Sequence, residues 1–208
     1  GTVWYDVSGN SRNFNLATQN VYNSSGPKYM DFNGSYGMAK NSSDLSLSGE
    51  VTYCVWTRPL TSTSNWRTLT RAYGGDHHVI IQSGGYNIGM YDNNGTGFLG
   101  TGYSQQSLPG WNTGQWNFMC WRWETGEATD YILTINNSPN TIRGSITNDN
   151  ARYNRGFGSL GGYHNNNTDP SSGSQYWGDI SQFIVYSRYI TDTEVLNIYN
   201  NGASRHGL

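Results

Sequence analysis

The sequence predicts an all-β protein, a sandwich of antiparallel strands with one short helix near its C-terminus. Three observations carry this. Apolar residues fall in short β-branched and aromatic runs separated by Gly, Asn and Ser clusters. Charged residues are 12% of the 208 positions, against about a quarter in an average soluble domain, and Gly, Asn, Ser and Thr fill the deficit. Aromatic residues are 14%, with 8 Trp and 16 Tyr, enough buriable area to exclude disorder despite the low charge. The length allows one large β domain or two small ones. With no internal repeat and no break in composition, a single domain over 1–208 is expected.

In chain order, Val51 to Trp56 is the first clear strand, rich in Val, Tyr and Trp. His78 to Gln82 and Tyr86 to Tyr91 follow, joined through Ser83-Gly-Gly85, where glycine supplies the positive φ of a tight hairpin. Trp116 to Trp123 and Tyr131 to Ile135 come next, and Asn136-Asn-Ser-Pro-Asn140 turns the chain again. Ile180 to Tyr186 is the last strand. Asp179, between Gly178 and Ile180, reads as a strand-start residue bonded to local backbone. Thr191-Asp-Thr-Glu194 has capping-box spacing ahead of Val195, Leu196, Ile198 and Tyr199, with Gly202 just beyond, which predicts the helix. Gly161 to Gly173 lacks any apolar period and reads as a loop. Trp56, Trp116, Trp121 and Trp123 lie in strands, and most of them are expected to pack in the core or on a sheet face.

A net charge of -2 with two lysines, Lys28 and Lys40, gives no positive field for a polyanion, so nucleic acid is not an expected ligand. No run approaches the eighteen or so apolar residues of a membrane span. The chain opens Gly1-Thr-Val without Met, as expected of a mature or excised domain. Sequons at Asn23, Asn33, Asn41, Asn94, Asn136 and Asn166 fit surface loops of a secretory protein.

Trp4-x-Asp6-x-Ser8-Gly9-Asn10, Met30-Asp-Phe-Asn-Gly34 and Val51-Thr-Tyr-Cys-Val-Trp56 resemble successive landmarks of laminin-G-like and pentraxin-like domains. Trp177-Gly-Asp-Ile180, Tyr186, Ile190-Thr-Asp-Thr-Glu194 and Ile198-Tyr-Asn-Asn-Gly202 resemble the strand, turn and helix that close pentraxins. In the segment Phe118-Met-Cys120-Trp-Arg-Trp123-Glu-Thr125 the pentraxin signature keeps Cys, Trp and the final Thr but lacks its His and inner Ser/Thr, so the broader laminin-G-like name applies. The resemblance implies a concanavalin A-type jelly roll of two curved antiparallel sheets with loops at the rim. It also implies a disulfide between Cys54 and Cys120 and an oxidising, extracellular setting, secreted or surface-displayed; two buried free thiols are the alternative.

The same resemblance places calcium at two rim loops, 74–77 and 160–165. Asp76 stands at the family's Asp, whereas Tyr163-His164-Asn165 replaces its Glu-Gln-Asp. The remaining donors, Asp76, Asn165 and Asp169 or Gln175 with backbone carbonyls, suit at most one calcium ion; a Gly/Asn turn cluster is the alternative. Enzymatic chemistry finds no footing. Glu50, Glu124, Glu127 and Glu194 form no carboxylate pair on one strand face, and the Glu-x-Asp-x-x-Glu run of glycosidases on related folds is missing. His77-His78 reads as a loop-edge polar pair pointing to opposite faces.

Sugar binding asks for aromatic rings beside amides, and His77, Tyr91, Asp92, Trp111, Tyr163, His164 and Asn166 are the candidate ligand-binding residues. For each loop aromatic the alternative is a ring that anchors its own loop to the core. The expected function is a non-catalytic, lectin-like module binding a glycan or polysaccharide. A structural or adhesion domain contacting another surface protein is the second reading, and a polysaccharide-degrading enzyme the third.

Overall fold

The computed structural model describes residues 3–16, 21–33, 38–39, 50–59, 66–71, 77–84, 87–92, 97–104, 107–112, 114–123, 131–138, 142–144, 159–161 and 177–208. Its strands form two antiparallel sheets. The first runs in the order β1 (Val3–Trp4), β2 (Phe14–Leu16), β5 (Met38–Ala39), β14 (Ser159–Leu160), β7 (Arg67–Arg71), β8 (His77–Ile81), β9 (Asn87–Asp92), β10 (Gly97–Ser104). The second runs β13 (Ile142–Gly144), β12 (Tyr131–Ile135), β11 (Asn117–Trp123), β6 (Val51–Pro59), β15 (Trp177–Tyr186), β4 (Tyr29–Asn33), β3 (Val21–Asn23). The predicted class holds: an all-β, two-sheet antiparallel sandwich with one short helix, α1 (Asp192–Ala203).

Alternation along the central pair β6 and β11 explains the layering. Val51, Tyr53 and Val55 of β6, with Met119, Trp121 and Trp123 of β11, belong to the core between the sheets. Cys54, Trp56, Phe118 and Cys120 point the other way, into a second cluster with Ile190, Val195 and Tyr199. A sheet face that carries Trp and Phe on its outer side must be covered, and α1 covers it. All seven residues of β11 are buried. The four strand tryptophans named above are buried as expected.

The cap forms as the spacing predicts. Thr191 accepts from the Glu194 N–H, and the Glu194 carboxylate accepts from the Thr191 N–H at 2.8 Å. Arg122, itself buried, crosses to the same helix end: its guanidinium donates to the Ile190 carbonyl at 3.1 Å and pairs with Asp192 at 2.6 Å. An acidic residue in the first helical turn also faces the positive end of the helix dipole. Leu196 is the exception among the apolar helix positions and is exposed.

Three expectations are corrected. Asp179 makes a long-range contact in place of a local one, because it lies within β15 opposite Arg58 of β6, and its Oδ2 accepts from Arg58 Nε at 2.8 Å and Nη2 at 2.6 Å. Burial raises the pKa of Asp179 even though Arg58 opposes the shift. Asn136 is not a surface sequon: it is 4% exposed, accepts from the Phe118 N–H at 2.8 Å and donates to the Gly110 carbonyl at 2.7 Å. Its side chain closes the turn, so a glycan there is incompatible with this structure. His77 and His78 are not loop-edge residues but open β8, at 3% and 0% exposure. They do point apart, since His78 stacks on Tyr53 in the core at 5.0 Å while His77 packs on Tyr91.

Candidate functional site

Strands β8, β9 and β10 bring four rings together on the face of their sheet that points away from the core. Tyr91 lies opposite His77 in β8 and opposite Phe98 in β10. Trp66, just ahead of β7, meets Tyr91 edge-on at 5.5 Å and Phe98 at 5.3 Å. The glycines make room for this. Gly89 pairs with Gly100, and a Cβ at Gly89 would lie 2.7 Å from Phe98 Cε2, one at Gly100 2.9 Å from Cε1, so the Phe98 ring fills the space that two side chains would occupy. Trp66, Tyr91 and Phe98 are half-buried, each presenting part of a ring.

His77 supports this cluster from beneath. Its Nδ1 is hydrogen-bonded to Thr68 Oγ1 at 2.9 Å, and its ring stands edge-on to Tyr91 at 6.0 Å. Burial keeps the imidazole neutral and pushes its pKa down to about 3, with Arg71 and His78 adding to the effect. A buried, neutral ring under Tyr91 orients the phenol; it does not present itself to a ligand.

Of the other predicted site residues, Asp92 ends β9, one position beyond Tyr91. Trp111 does not join the ring cluster: it is half-buried against the core, and its N–H donates to the Leu108 carbonyl at 3.0 Å, so it anchors its own loop. Asp76, Tyr163, His164, Asn165, Asn166, Asp169 and Gln175 lie outside the described residues. Among the described residues no group of three or more His, Cys, Asp or Glu could hold a metal ion. Trp66 and Phe98 were not expected. For Phe98 the signal was the mirrored pair Gly89-Met-Tyr91 and Phe98-Leu-Gly100, ring and glycine two apart on one face of consecutive strands; Trp66 left none in the sequence.

A second concave feature is a cleft of about 520 Å³ between the segment Trp4 to Phe14 and the β15 stretch from Ser181 to Val185. A cavity of about 420 Å³ adjoins it, sharing Trp4, Tyr5, Val7 and Ser181.

Two stacked antiparallel sheets, with a helix over the outer face of one, define a concanavalin-type β-sandwich. Residues 32–196 match the family described as the Concanavalin A-like lectin/glucanases superfamily, and the chain belongs to it. A comparison with curated proteins finds no match. Among solved structures, Trypanosoma rangeli sialidase in complex with sialic acid is similar over 99% of this chain and 32% of its own, at 11% identity and a TM-score of 0.64. The binding domain of botulinum neurotoxin DC in complex with rat synaptotagmin II is similar over 95% of this chain and 48% of its own, at 13% identity and a TM-score of 0.65. Botulinum neurotoxin type C, which depends on two ganglioside molecules to enter cells, gives 95% and 48%, 14% identity and a TM-score of 0.64. The chain thus spans about a third of the sialidase and about half of the neurotoxin chains, and at these identities the likeness shows the fold.

Proposed function

We propose that the chain is a non-catalytic glycan-recognition module, secreted or displayed on a surface, and that the edge formed by Trp66, Tyr91 and Phe98 stacks on sugar faces. The observation that carries this is the ring cluster itself. Three half-buried rings held rigidly by mutual edge-on contacts and by paired glycines offer apolar area whose ordering cost is met before a ligand arrives. Membership of a superfamily of lectins and glucanases supports it, as does the absence from the sequence of the Glu-x-Asp-x-x-Glu run of glycosidases on related folds. The sialidase and neurotoxin neighbours, similar in fold, are described with sialic acid and gangliosides.

Binding of the chain to a glycan array, repeated with Tyr91→Ala and Trp66→Ala, tests the proposal. Each substitution is expected to weaken binding about 10-fold or more, the loss of one stacked ring being worth about 1–2 kcal/mol. Unchanged binding in both variants, with folding intact, overturns this site. One calcium ion on Asp76, Asn165 and Asp169 or Gln175 belongs to the same proposal. Glycan binding that is indifferent to EDTA removes the ion from it.

An extracellular setting carries a covalent consequence. Cys54 and Cys120 are direct partners across β6 and β11, buried as thiols with Sγ atoms 3.0 Å apart. Burial, with Cys120 alongside, raises the Cys54 thiol well above its ordinary range. We propose that they are oxidised in the secreted protein. Closing a loop between residues 66 apart restricts the unfolded chain and should contribute about 4 kcal/mol, less any strain. Mass spectrometry of unreduced, secreted material is expected to show the mass two hydrogens lighter. Two alkylatable thiols in that material would refute both the bond and the compartment.

A further inference from the structure

The cleft beside β15 and the cavity next to it gather exposed positive charge. Arg58, Arg122 and Arg188 each pair with a carboxylate at 2.6 Å. Arg12 and Arg205 in the cleft, and Lys28 in the adjoining cavity, are exposed and have no carboxylate partner among the described residues. Among the described residues Asp6 is the one carboxylate lining either cavity, and both its oxygens accept hydrogen bonds. Oδ1 accepts from the Ser8 N–H at 2.8 Å and Oδ2 from the Arg12 N–H at 3.0 Å. These bonds close the loop from Asp6 to Arg12; the Ser8 side chain, the two backbone N–H groups and the nearby Arg12 charge together lower the pKa of Asp6, while no carboxylate forms a direct ion pair with the Arg12 guanidinium among the described residues. Three cations against one carboxylate leave the trough net positive on a protein of net charge -2.

The walls add neutral groups. Tyr5 is 69% exposed and lines both cavities, beside Trp4. Asn10 and Gln182 supply amides. The floor is a strand edge: β15 pairs with β4 only from Trp177 to Ile180, while it continues on β6 to Tyr186. From Ser181 onward its outer edge has no strand partner among the described residues. The register shift on the β6 side between Ile180 and Gln182 falls where the β4 ladder ends, so an added peptide strand would not continue that ladder in register. Rings, amides and guanidiniums around a trough of this volume instead match a sugar. A ring stacks on the C–H face, amides take hydroxyls, and a planar guanidinium takes a carboxylate in two parallel hydrogen bonds.

We propose that this trough is a second saccharide site, selective for sugars that bear a carboxylate, with Arg12 and Arg205 taking the carboxylate and Tyr5 the ring. The proposal rests on the reading of the chain as a glycan-recognition module but uses none of the residues of the Tyr91 edge. The probe is tetragalacturonate, compared with its carboxyl-reduced tetrasaccharide and with a tetraglutamate peptide, each titrated calorimetrically into wild type, Arg12→Gln, Arg205→Gln and Tyr91→Ala. Tetragalacturonate is expected to bind at least about 10-fold tighter than its reduced form, the worth of one charge-assisted pair. Each arginine variant, still folded because both side chains are exposed, is expected to erase that preference, while Tyr91→Ala retains it. Equal affinity for the acidic and reduced sugars, or a preference that survives both arginine variants, overturns the proposal even if neutral glycans bind through Tyr91. Tetraglutamate binding as tightly as the uronate through the same arginines overturns it in favour of an acidic peptide. Glycan binding by neither site removes the module reading as well.

Discussion

Trp56→Ala is expected to cost about 4–5 kcal/mol, the upper part of the range for a buried large-to-small change. Trp56 is 0% exposed and is the residue on which the helical layer rests. Phe118 and Tyr199 pack on it at 5.2 and 5.7 Å, and His206 stacks on it at 4.1 Å with the ring planes 3° apart. Gly202 of α1 lies so close that a Cβ there would sit 2.5 Å from the indole Nε1. Nothing nearby can collapse into the hole, because its walls are a sheet on one side and a capped helix on the other. For a protein of this size the midpoint of thermal unfolding should fall by about 10 °C or more. The damage should also be local in character. Hydrogen exchange is expected to speed up first across residues 192–206, which dock through Trp56, before it does so in β6 and β11. Uniform acceleration across the protein would show that α1 and the sheet unfold as one unit, and a midpoint within about 3 °C of wild type would show that the site repacks.

The same residue shows which parts of the fold were legible in sequence. Val51 to Trp56 and Trp116 to Trp123 read as strands because their residue types fit a pleat, whichever face they use. That both faces are buried was half-visible: a run with no polar alternation needs a cover on each side, and the Thr191 cap announced the helix that provides one. Strand β7 did not read as a strand. Arg67-Thr-Leu-Thr-Arg71 is polar by composition, yet all five residues are buried, an environment that only the neighbouring strands of the sheet create. The histidine pair illustrates the same limit. Period two gave their opposite directions, whereas their burial depends on what packs against β8 from elsewhere in the chain. Local bonding by Asp179 was the default for an acidic residue beside glycine, and it failed because strand pairing set Arg58 opposite it, a residue 121 positions away. The candidate site divides in the same way. Tyr91 was found from composition, while Phe98 came from cross-strand register and Trp66 from ring contacts made just ahead of β7, and the trough exists because the segment from Trp4 to Phe14 folds back along β15.

Acid is expected to unfold this protein earlier than its carboxylates would, and His77 is the reason. Its pKa is about 3 in the folded chain against an ordinary value near 6.5 when unfolded, because burial beside Arg71 and His78, over Thr68 and Tyr91, disfavours a charged ring. The unfolded chain therefore binds a proton that the folded chain refuses. Stability rises with pH wherever the unfolded state holds more protons, so this contribution is fully present above about pH 6.5 and is lost as pH falls toward 3. One such proton amounts to about 3 kcal/mol by pH 4.5 and about 4 by pH 3. His206 acts in the same direction: burial lowers its pKa, and its ring lies between the Gly202 carbonyl and the Ser181 hydroxyl. Glu194, held down to about 2 by Arg188, and Asp6 lose their contribution only below about pH 4.5, while Asp179, whose pKa is raised, works in the opposite sense. The comparison of wild type with a variant that lacks only the His77 ring isolates this contribution between pH 6.5 and 4.5. Urea unfolding across it should give a steep loss in wild type and a distinctly shallower one in His77→Gln, which keeps a hydrogen-bonding group toward Thr68 but cannot titrate. Parallel slopes for the two proteins would mean that His77 takes up its proton in the folded state, and that the face beneath Tyr91 is open to water.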